Sequence, residues 1–324
     1  MGVKVESSMP KDSFGREITY LRLSVGTACN FHCVYCNPQG KWDVKREVLS
    51  YEQLLHLTSL FHQIGIKDIR LTGGEPLLRP GLVSFVSELK KQGFSHLAIT
   101  TNGAALGSLA FPLKEAGLDT CNISVDATSR KLFSQISGNG DVSLVIRGLE
   151  SALASGLVVK INCVPLLESF QEQVDEVTTL ALAKDIPVRF IELMPIGNGA
   201  NLMGVDFPRL KSYLASQFGE PVAIAPKGMG PARYSRYGRL EVGYIEELSH
   251  PFCADCNRLR LLSDGELRSC LQQKKGIPLG SFLRQGLSDE QLLTSLLRAI
   301  KDKPQKHDLG NLSMRDIPLQ GIGG

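Results

Sequence analysis

Residues 20–36 read YLRLSVGTACNFHCVYC, an apolar run typical of a β-strand that is followed directly by cysteines at positions 29, 33 and 36. A four-iron cluster held by three thiolates keeps one iron open, and an open iron can bind and activate a further molecule. The spacing of Cys29, Cys33 and Cys36 therefore indicates chemistry at this loop. A structural zinc site with His32 as the fourth ligand is the alternative that the spacing leaves open.

The composition is that of a globular protein with balanced charge. The chain has 324 residues, 43% of them hydrophobic, and a formal net charge of +3 at pH 7. This length allows two domains or one large α/β domain with an appendage, and the balanced charge does not predict a nucleic-acid partner. The sequence shows neither a signal-peptide pattern nor an apolar run that could span a bilayer, so we expect a cytoplasmic protein without a membrane partner.

Strand-like runs alternate with helix-like stretches from about residue 18 to residue 194, which predicts an α/β fold built on a parallel sheet. The first helix opens with Ser50 and Gln53 in the spacing of a capping box and ends at Gly65. Six β/α units are too few for a complete eight-stranded barrel, so an open partial barrel and a doubly wound sheet both remain possible. The strand-like runs are 20–25, 68–72, 96–101, 120–126, 158–164 and 188–193.

The stretch GNGANLMG at 197–204 breaks the alternation, and we place a domain boundary there. Beyond it we expect a helix near 207–218, short strands through 221–245 and a helix near 288–301. The predicted regions are a flexible N-terminus at 1–15, an α/β core at 16–200 and a smaller C-terminal domain at 201–324.

One face of the predicted strands is polar in strand after strand, whereas a strand that is buried on both faces reads as a continuous apolar run. Because side chains alternate along a strand, Arg22, Arg70, Lys160 and Arg189 fall on corresponding faces of four strands. A single such cation would be explained by a carboxylate on a covering helix. Together they predict a positively charged lumen, which suits a polyanion such as a chain of phosphates.

The remaining cysteines divide into one group and two solitary residues. Cys121 and Cys163 stand alone in strand-like runs, and we expect them to be buried as small apolar residues. The group lies within FCADCNRLRLLSDGELRSCL (252–271), and its spacing alone favours structural zinc with His250 as the fourth ligand. In the cytoplasm, grouped cysteines bind metal more often than they form disulfides. The group consists of Cys253, Cys256 and Cys270.

Two features close to the first cysteine group favour a cofactor site over zinc. Tyr35 directly precedes the last cysteine, where an aromatic ring can stack on a bound adenine. GGEP (73–76) follows the second strand-like run, and glycines there let the backbone approach a ligand closely. An ordinary βα loop is the alternative explanation of GGEP.

With these motifs the sequence resembles the radical S-adenosylmethionine superfamily, because an aromatic residue precedes the third cysteine of C-x₃-C-x₂-C and GGEP follows. The resemblance implies a [4Fe–4S] cluster on Cys29, Cys33 and Cys36, with S-adenosylmethionine on its open iron. It also implies a 5′-deoxyadenosyl radical that abstracts hydrogen from the substrate. The implied fold is a partial (β/α)₆ TIM-like barrel whose mouth is closed by a smaller C-terminal α+β domain.

The second cysteine group narrows the resemblance to the GTP 3′,8-cyclase family of molybdenum cofactor biosynthesis. N-R-L-R at 257–260, FGREITYLRLSV at 14–25 and the terminal diglycine resemble that family, and the resemblance runs from about residue 14 to the end. It implies the conversion of GTP to (8S)-3′,8-cyclo-7,8-dihydroguanosine 5′-triphosphate. In that reaction the radical removes the ribose 3′ hydrogen, and C3′ then attacks C8 of guanine.

The same resemblance implies roles for individual residues. A second [4Fe–4S] cluster, in contact with the purine, would be held by Cys253, Cys256 and Cys270. GTP would be bound by Arg22, Arg70, Thr100, Lys160, Arg189, Arg258 and Arg260. S-adenosylmethionine would be contacted by Tyr35, Gly74, Ser124 and Met194. The implied catalytic residues are Arg258, Arg260, Gly323 and Gly324.

The implied partners are an external one-electron donor and a downstream cyclic pyranopterin monophosphate synthase, and a homodimer is a further possibility. Three departures from the family pattern bear on triphosphate affinity and on docking of the tail: Gly26-Thr27-Ala28, Asp68 and I-P-L-Q at 317–320.

Two rival hypotheses remain. One is a peptide-modifying radical enzyme, a class that usually carries more C-terminal cysteines. The other is a zinc protein that binds nucleic acid with salt-dependent affinity.

Overall fold

The computed structural model describes residues 9–37, 47–228, 230–307 and 319–322. The strands are β1 (Tyr20–Ser24), β2 (Asp68–Thr72), β3 (His96–Thr101), β4 (Thr120–Ser124), β5 (Val158–Cys163), β6 (Val188–Ile191), β7 (Val222–Ile224), β8 (Arg233–Tyr237), β9 (Leu240–Ile245), β10 (Arg258–Leu261), β11 (Glu266–Arg268) and β12 (Ile277–Pro278). The helices are α1 (Tyr51–Gln63), α2 (Leu82–Lys91), α3 (Leu106–Glu115), α4 (Arg130–Ser137), α5 (Val142–Ala154), α6 (Phe170–Lys184), α7 (Phe207–Phe218), α8 (Leu279–Arg284) and α9 (Asp289–Lys301).

All twelve described strands form one sheet, in the order β12-β11-β10-β1-β2-β3-β4-β5-β6-β9-β8-β7. The six strands β1 to β6 are parallel neighbours in chain order. This order follows from helices that return the chain to the same edge of the sheet after each strand. The predicted α/β fold with six β/α units is therefore confirmed.

The strands that follow the predicted domain boundary extend the same sheet at both ends. β10 pairs in parallel with β1, and β9 pairs in parallel with β6. The carboxyl ends of these two strands therefore lie on the same side of the sheet as those of the six core strands. The division of the chain into 1–15, 16–200 and 201–324 stays a prediction, and so does the closing of the barrel mouth.

The helices pack their apolar faces on one side of the parallel strands. In α1, Leu54, Leu57 and Phe61 are fully buried or nearly so, as their helical spacing predicts. Leu21 and Leu23 of β1 have no exposed surface, while Arg22 between them belongs to the opposite, polar face. The hydrophobic core thus lies between sheet and helices, which leaves the other face of the sheet to line a lumen.

Part of the predicted flexible N-terminus makes defined contacts. Residues 1–8 lie outside the described ranges, whereas Lys11 forms an isolated antiparallel bridge with Glu17 and Asp12 is buried.

In the described part of the chain, no helix is both long and apolar enough to cross a membrane. The two solitary cysteines, Cys121 and Cys163, are fully buried, which confirms the prediction made for them.

The capping box at the start of α1 provides a test of the local sequence signal. Gln53 N donates to Ser50 Oγ over 3.2 Å, and Ser50 N donates to Gln53 Oε1 over 2.9 Å. Replacing Ser50 with Ala leaves one backbone donor of the first turn without its partner, which costs about 1 kcal/mol. We expect the Ser50→Ala variant to lose this amount of unfolding free energy in urea denaturation. Ser59→Ala in the same helix is the control, and equal stability of the two variants would contradict the prediction.

Candidate active site

Three adjoining cavities follow the polar face of the sheet. The first cysteine group lies at the carboxyl ends of the parallel strands, where α/β barrels place their active sites. The second lies near the amino end of β10, because Cys256 precedes that strand and Cys270 follows β11, which is antiparallel to it. The central cavity has a volume of about 220 Å³. It shares Tyr35, Thr100, Ser124 and Leu319 with a cavity that the first cysteine group lines. On its other side it shares Glu247, Arg258, Arg260 and Leu271 with a cavity that the second group lines. The two cysteine groups therefore face each other across one central space.

The first cysteine cavity, of about 160 Å³, brings together the loop after β1 and the GGEP turn after β2. Cys29, Cys33 and Cys36 all line it, together with Gly73 and Gly74. Burial raises the pKa of the Cys29 thiol to about 11, and burial with the nearby Asp126 raises that of Cys33 well above its usual value. Buried thiols of this kind are stable as thiolates only when a cation or metal centre compensates their charge.

Gly74 is required because two loops touch at this point. Gly74 N donates to Gly26 O over 3.0 Å, and Glu75 N donates to Ala28 O over 2.7 Å. A Cβ on Gly74 would lie 2.4 Å from Thr27 O and 2.3 Å from Ala28 O. The glycine thus lets the GGEP turn fix the backbone that leads into Cys29.

Glu75 of the GGEP turn is a buried residue to which the sequence analysis gave no role. Its carboxylate accepts hydrogen bonds from Thr101 Oγ1 over 2.6 Å and from the backbone N of Asn102 over 2.7 Å. Burial raises the pKa of this carboxyl to about 7, although these hydrogen bonds oppose the rise. Through these hydrogen bonds Glu75 holds the end of β3 against the GGEP turn. Its position within GGEP was the sequence signal that could have identified it.

Tyr35 is held by a second buried carboxyl that the sequence analysis missed. Its hydroxyl donates to Asp126 Oδ2 over 2.6 Å, and Asp126 Oδ1 accepts from Val164 N over 2.8 Å. Burial raises the pKa of Asp126 to about 6. The ring of Tyr35 consequently has a fixed position in the wall between the first cysteine cavity and the central cavity.

Positive charge dominates the central cavity. Arg22 of β1 is in register with Arg70 of β2 on one side and with Arg260 of β10 on the other. Burial, followed by the charge of Arg260, lowers the pKa of Arg22 well below its usual value, and burial followed by Arg258 lowers that of Arg260 to about 10. The five arginines that line the cavity are Arg22, Arg70, Arg189, Arg258 and Arg260.

Hydrogen bonds from neighbouring strands orient two of these arginines. Arg189 Nε donates to Asn162 Oδ1 over 2.8 Å, and its Nη2 donates to Asn122 Oδ1 over 2.6 Å. Arg70 Nε donates to the hydroxyl of Tyr20. Burial alone would raise the pKa of Tyr20, yet the charges of Arg70 and Arg22 outweigh it and lower that pKa. The lowered pKa of Tyr20 therefore reflects a positive electrostatic potential at the wall of the cavity.

Lys160 is the one predicted lumen cation that does not line the central cavity. Its ammonium donates instead to the carbonyl of Lys227, in the loop between β7 and β8. Burial, followed by the charges of Arg189 and Arg70, lowers the pKa of Lys160 to about 8. The ammonium of Lys160 is therefore close enough to the arginines for their charge to affect its pKa, while a loop carbonyl accepts its hydrogen bond.

The second cysteine cavity combines thiols with cations. It is lined by Cys253, Cys256 and Cys270 beside Arg258 and Arg260, with Lys303 and His307 from the segment after α9. Burial disfavours the Cys256 thiolate, but the charges of Arg258 and Lys303 outweigh it and lower the pKa of Cys256 to about 7. Burial raises the pKa of Cys253. The cations of this cavity therefore make Cys256 easier to ionise than an ordinary cysteine.

The other predicted site residues fall into two sets. Thr100, Ser124 and Met194 line the central cavity, as does Leu319 from the C-terminal segment. Gly323 and Gly324 lie outside the described residues, so their predicted role is not tested. The proposed fourth zinc ligands lie elsewhere: His32 is exposed, and Nδ1 of His250 pairs with Glu246 over 3.3 Å beside a different surface cavity.

The residues present fit iron–sulfur clusters and a bound cofactor. In the described ranges, no group of three or more His, Cys, Asp or Glu side chains is arranged to hold a single metal ion. Each cysteine triplet nevertheless lines one cavity, and thiolates are the ligands that such clusters require. Among the buried side-chain atoms that lack a hydrogen-bond partner in the described ranges, Thr72 Oγ1 belongs to a residue of the first cysteine cavity and His307 Nδ1 to a residue of the second.

Fold and site together define a radical S-adenosylmethionine enzyme, whose cofactors are S-adenosylmethionine and an iron–sulfur cluster. The sequence model described as Radical SAM superfamily matches residues 23–181, and the one described as Molybdenum Cofactor Synthesis C matches residues 186–309. The chain belongs to the GTP 3′,8-cyclase family. A GTP 3′,8-cyclase of Heliobacterium modesticaldum is 40% identical over 97% of this chain and 99% of its own length. One of Moorella thermoacetica is 37% identical over 97% of this chain and all of its own length.

Solved structures give the same fold at much lower sequence identity. The Streptococcus suis protein SuiB, crystallised with its precursor peptide SuiA, superimposes with a TM-score of 0.62 and 14% identity. The match covers 91% of this chain and 67% of that chain. At this level of identity the likeness concerns the fold alone.

The contact at Gly74 predicts that this position tolerates no side chain. In a Gly74→Ala variant the new Cβ meets two carbonyls of the 27–28 backbone, so the loop that carries Cys29 must move. A displacement of about 1 Å in an active site can cost about 100-fold in rate. We expect a loss of this size in reductive cleavage of S-adenosylmethionine, measured as 5′-deoxyadenosine. Gly107→Ala, where a Cβ meets nothing within 4 Å, is the control, and a wild-type rate for Gly74→Ala would refute the prediction.

Proposed function

We propose that this chain is a GTP 3′,8-cyclase that converts GTP to (8S)-3′,8-cyclo-7,8-dihydroguanosine 5′-triphosphate, the first step of molybdenum cofactor biosynthesis. The observation that carries the proposal is the central cavity, where five arginines meet between two triplets of cysteines. Five arginines outnumber the carboxylates of Asp126, Glu192 and Glu247 in this wall, and a nucleoside triphosphate supplies negative charge that balances the excess. Its purine and ribose have room to lie between the two cysteine groups.

Each cysteine triplet has a separate role in this proposal. Cys29, Cys33 and Cys36 hold a first [4Fe–4S] cluster, with S-adenosylmethionine beside Tyr35, Gly74, Ser124 and Met194. When bound, this cluster and S-adenosylmethionine supply a 5′-deoxyadenosyl radical, which removes the 3′ hydrogen of GTP so that C3′ can bond to C8. The second cluster, next to the purine, is held by Cys253, Cys256 and Cys270.

The residues of the central cavity bind and orient the nucleotide. Arg22, Arg70 and Arg189 lie on neighbouring or nearby strands and take the phosphates, with Thr100 and Lys160 close to them. Arg258 and Arg260 adjoin the second cysteine group, so they can reach the sugar and the base. Holding C3′ close to C8 in a flexible nucleotide is the main task of such a site, because orientation can supply much of the rate.

The apolar part of the wall keeps water from the reacting atoms. Ile191, Leu193 and Met194 come from the end of β6, and Leu271 and Leu319 come from the C-terminal third. A dry cavity protects a reactive sugar radical from side reactions and strengthens the contacts between arginines and phosphates. Gly323 and Gly324, four and five residues after Leu319, are placed by this proposal at the same cavity.

Several further roles remain proposals from the family resemblance. The external one-electron donor would deliver two electrons in separate steps. The first would cleave S-adenosylmethionine, and the second, with a proton, would reduce the aminyl-type radical that remains after C3′ bonds to C8. The product would be consumed by a cyclic pyranopterin monophosphate synthase. A cytoplasmic location and a homodimer are expected on the same grounds. A peptide-modifying enzyme is less well supported, because a peptide does not require five arginines in one cavity.

The function is tested with protein that is reconstituted with iron and sulfide without oxygen, reduced, and given S-adenosylmethionine and GTP. Mass spectrometry should detect 5′-deoxyadenosine and a cyclised GTP, both in a GTP-dependent manner. A Cys29→Ala variant should yield neither compound, whereas Cys270→Ala should still yield 5′-deoxyadenosine without the cyclised nucleotide. Deoxyadenosine without any GTP product in the wild type would mean that the substrate is wrong.

The lowered pKa of Lys160 predicts how GTP affinity depends on pH. Below pH 8 the ammonium is charged, and above it the side chain becomes neutral, since burial and the neighbouring arginines hold its pKa at about 8. A contact between this ammonium and the triphosphate therefore weakens as the pH rises, by about fivefold from pH 8 to pH 9. Equilibrium binding of GTP without S-adenosylmethionine measures the effect. Lys160→Arg stays charged and should remove this part of the pH dependence, and identical slopes in both proteins would contradict the role of Lys160.

A further inference from the structure

A buried lysine follows the last helix of the fold. Lys303 lies two residues after the end of α9, and only 3% of its surface is exposed. Lysine is rarely buried to this extent unless its ammonium is hydrogen-bonded. Lys303 Nζ donates to Arg258 O over 2.9 Å and to Ser269 O over 2.5 Å. Both acceptors are backbone carbonyls, so the ammonium fixes main chain and not merely side chains.

These two carbonyls belong to separate segments of the second cysteine cavity. Arg258 is the first residue of β10 and follows Cys256 by two positions, whereas Ser269 directly precedes Cys270. Lys303 therefore joins the backbone beside one cysteine to the backbone beside another. Its ammonium also interacts electrostatically with the sulfurs of both cysteines.

Arg16 holds the same segment from the other end of the chain. Its Nη1 donates to Cys253 O over 2.6 Å and to Gln305 O over 3.0 Å, and its Nη2 donates to Pro304 O over 2.7 Å. The guanidinium is buried and is itself held by Asp12, whose Oδ2 accepts from Nε over 2.5 Å. Arg16 thus connects the residues next to Lys303 to Cys253, the one cysteine of the group whose surroundings Lys303 does not bind.

We propose that Lys303 is a positioning residue for the second cysteine group, with Arg16 as the residue that holds the Lys303 segment in place. The two cations together bind the backbone of Cys253, of Ser269 next to Cys270, and of Arg258 two positions after Cys256. They set the spacing of the three sulfurs and place positive charge beside a cluster whose thiolate ligands are negative. This inference rests on the proposed function, in which the second group holds a cluster beside GTP.

The proposal predicts an effect that is confined to one of the two cysteine groups. The first group lies on the loop after β1, which neither Lys303 nor Arg16 contacts through a described hydrogen bond. Loss of a hydrogen-bonding residue around a metal site typically weakens metal retention about 10- to 100-fold. Loss of Lys303 should therefore accelerate iron release from the second group alone.

The test uses two backgrounds of the full chain, each anaerobically reconstituted with iron and sulfide. In the first, Cys29, Cys33 and Cys36 are alanine, so that bound iron reports on the second group. In the second, Cys253, Cys256 and Cys270 are alanine, so that bound iron reports on the first group. Iron release to an excess of chelator is followed by visible absorption. The variant is Lys303→Met, which keeps the length of the stem and removes the donors, and the control is Lys301→Met on an exposed lysine.

We expect Lys303→Met to release iron about 10–100 times faster than the control in the first background and at the control rate in the second. Arg16→Gln should give the same selective pattern, and it tests the proposal even if Lys303→Met does not fold. Equal release from variant and control in the first background would overturn the proposal. So would a loss from both groups alike, because that indicates general destabilisation.

Failure of this inference and failure of the proposed function can be told apart. Iron release requires neither GTP nor S-adenosylmethionine, so an unselective result leaves the cyclase assay of the wild type standing. Conversely, selective iron loss from the Lys303→Met variant, together with a wild type that yields no cyclised GTP, would retain Lys303 as a positioning residue and refute only the proposed cyclase function.

Discussion

The close approach of buried arginines on the polar face of the sheet is the constraint on which the rest of this structure depends. Arg22 stands between Arg70 and Arg260 at one level of three neighbouring parallel strands, and like charges side by side repel. Burial and mutual repulsion lower the pKa of Arg22 well below its usual value, so the arrangement disfavours the charged form of this arginine. The hydrogen-bonded strands and the apolar core behind them keep the charges in place, and a polyanion in the cavity relieves the repulsion.

Both cysteine groups take their position from the same strands. The first follows β1, the strand that carries Arg22, and the second is linked through Cys256 to β10, the strand that carries Arg258 and Arg260. Because β1 and β10 are adjacent and parallel, the first cysteine group lies beyond the carboxyl end of this pair and Cys256 lies before its amino end, with the arginines between them. One pairing of strands thereby fixes both cysteine groups relative to the arginines of the central cavity. The same pairing connects the backbone that Lys303 contacts at Arg258 to the arginines of the central cavity.

Much of this arrangement could be predicted from the sequence, because it depends on local periodicity. The six parallel strands, the capping box at Ser50 and the common face of Arg22, Arg70 and Arg189 are all read within short windows. The pairing of β9 and β10 with the two ends of the sheet could not be predicted, since it joins segments more than fifty residues apart and leaves no periodic signal. Such pairings are decided by the global packing of the chain.

The sequence analysis missed several site residues for the same reason, namely that their partners are distant in the chain. Asp126 and Lys303 look like ordinary charged residues in the sequence, and their roles arise only when distant partners bury them. Lys160 was predicted from its strand position to enter the lumen, yet a carbonyl of the loop after β7 holds its tip. Strand periodicity gives the face on which a side chain begins, whereas the end of a long side chain is placed by loops that no local pattern describes.

The central claim is that the cavity presents the 3′ carbon of GTP to the radical that forms on the side of the first cysteine group. The most direct measurement gives the reconstituted enzyme GTP that carries deuterium at C3′ and follows 5′-deoxyadenosine by mass spectrometry. Our account predicts that deuterium appears in 5′-deoxyadenosine and is absent from C3′ of the cyclised nucleotide. Unlabelled 5′-deoxyadenosine, formed alongside a product that retains the deuterium, would contradict it.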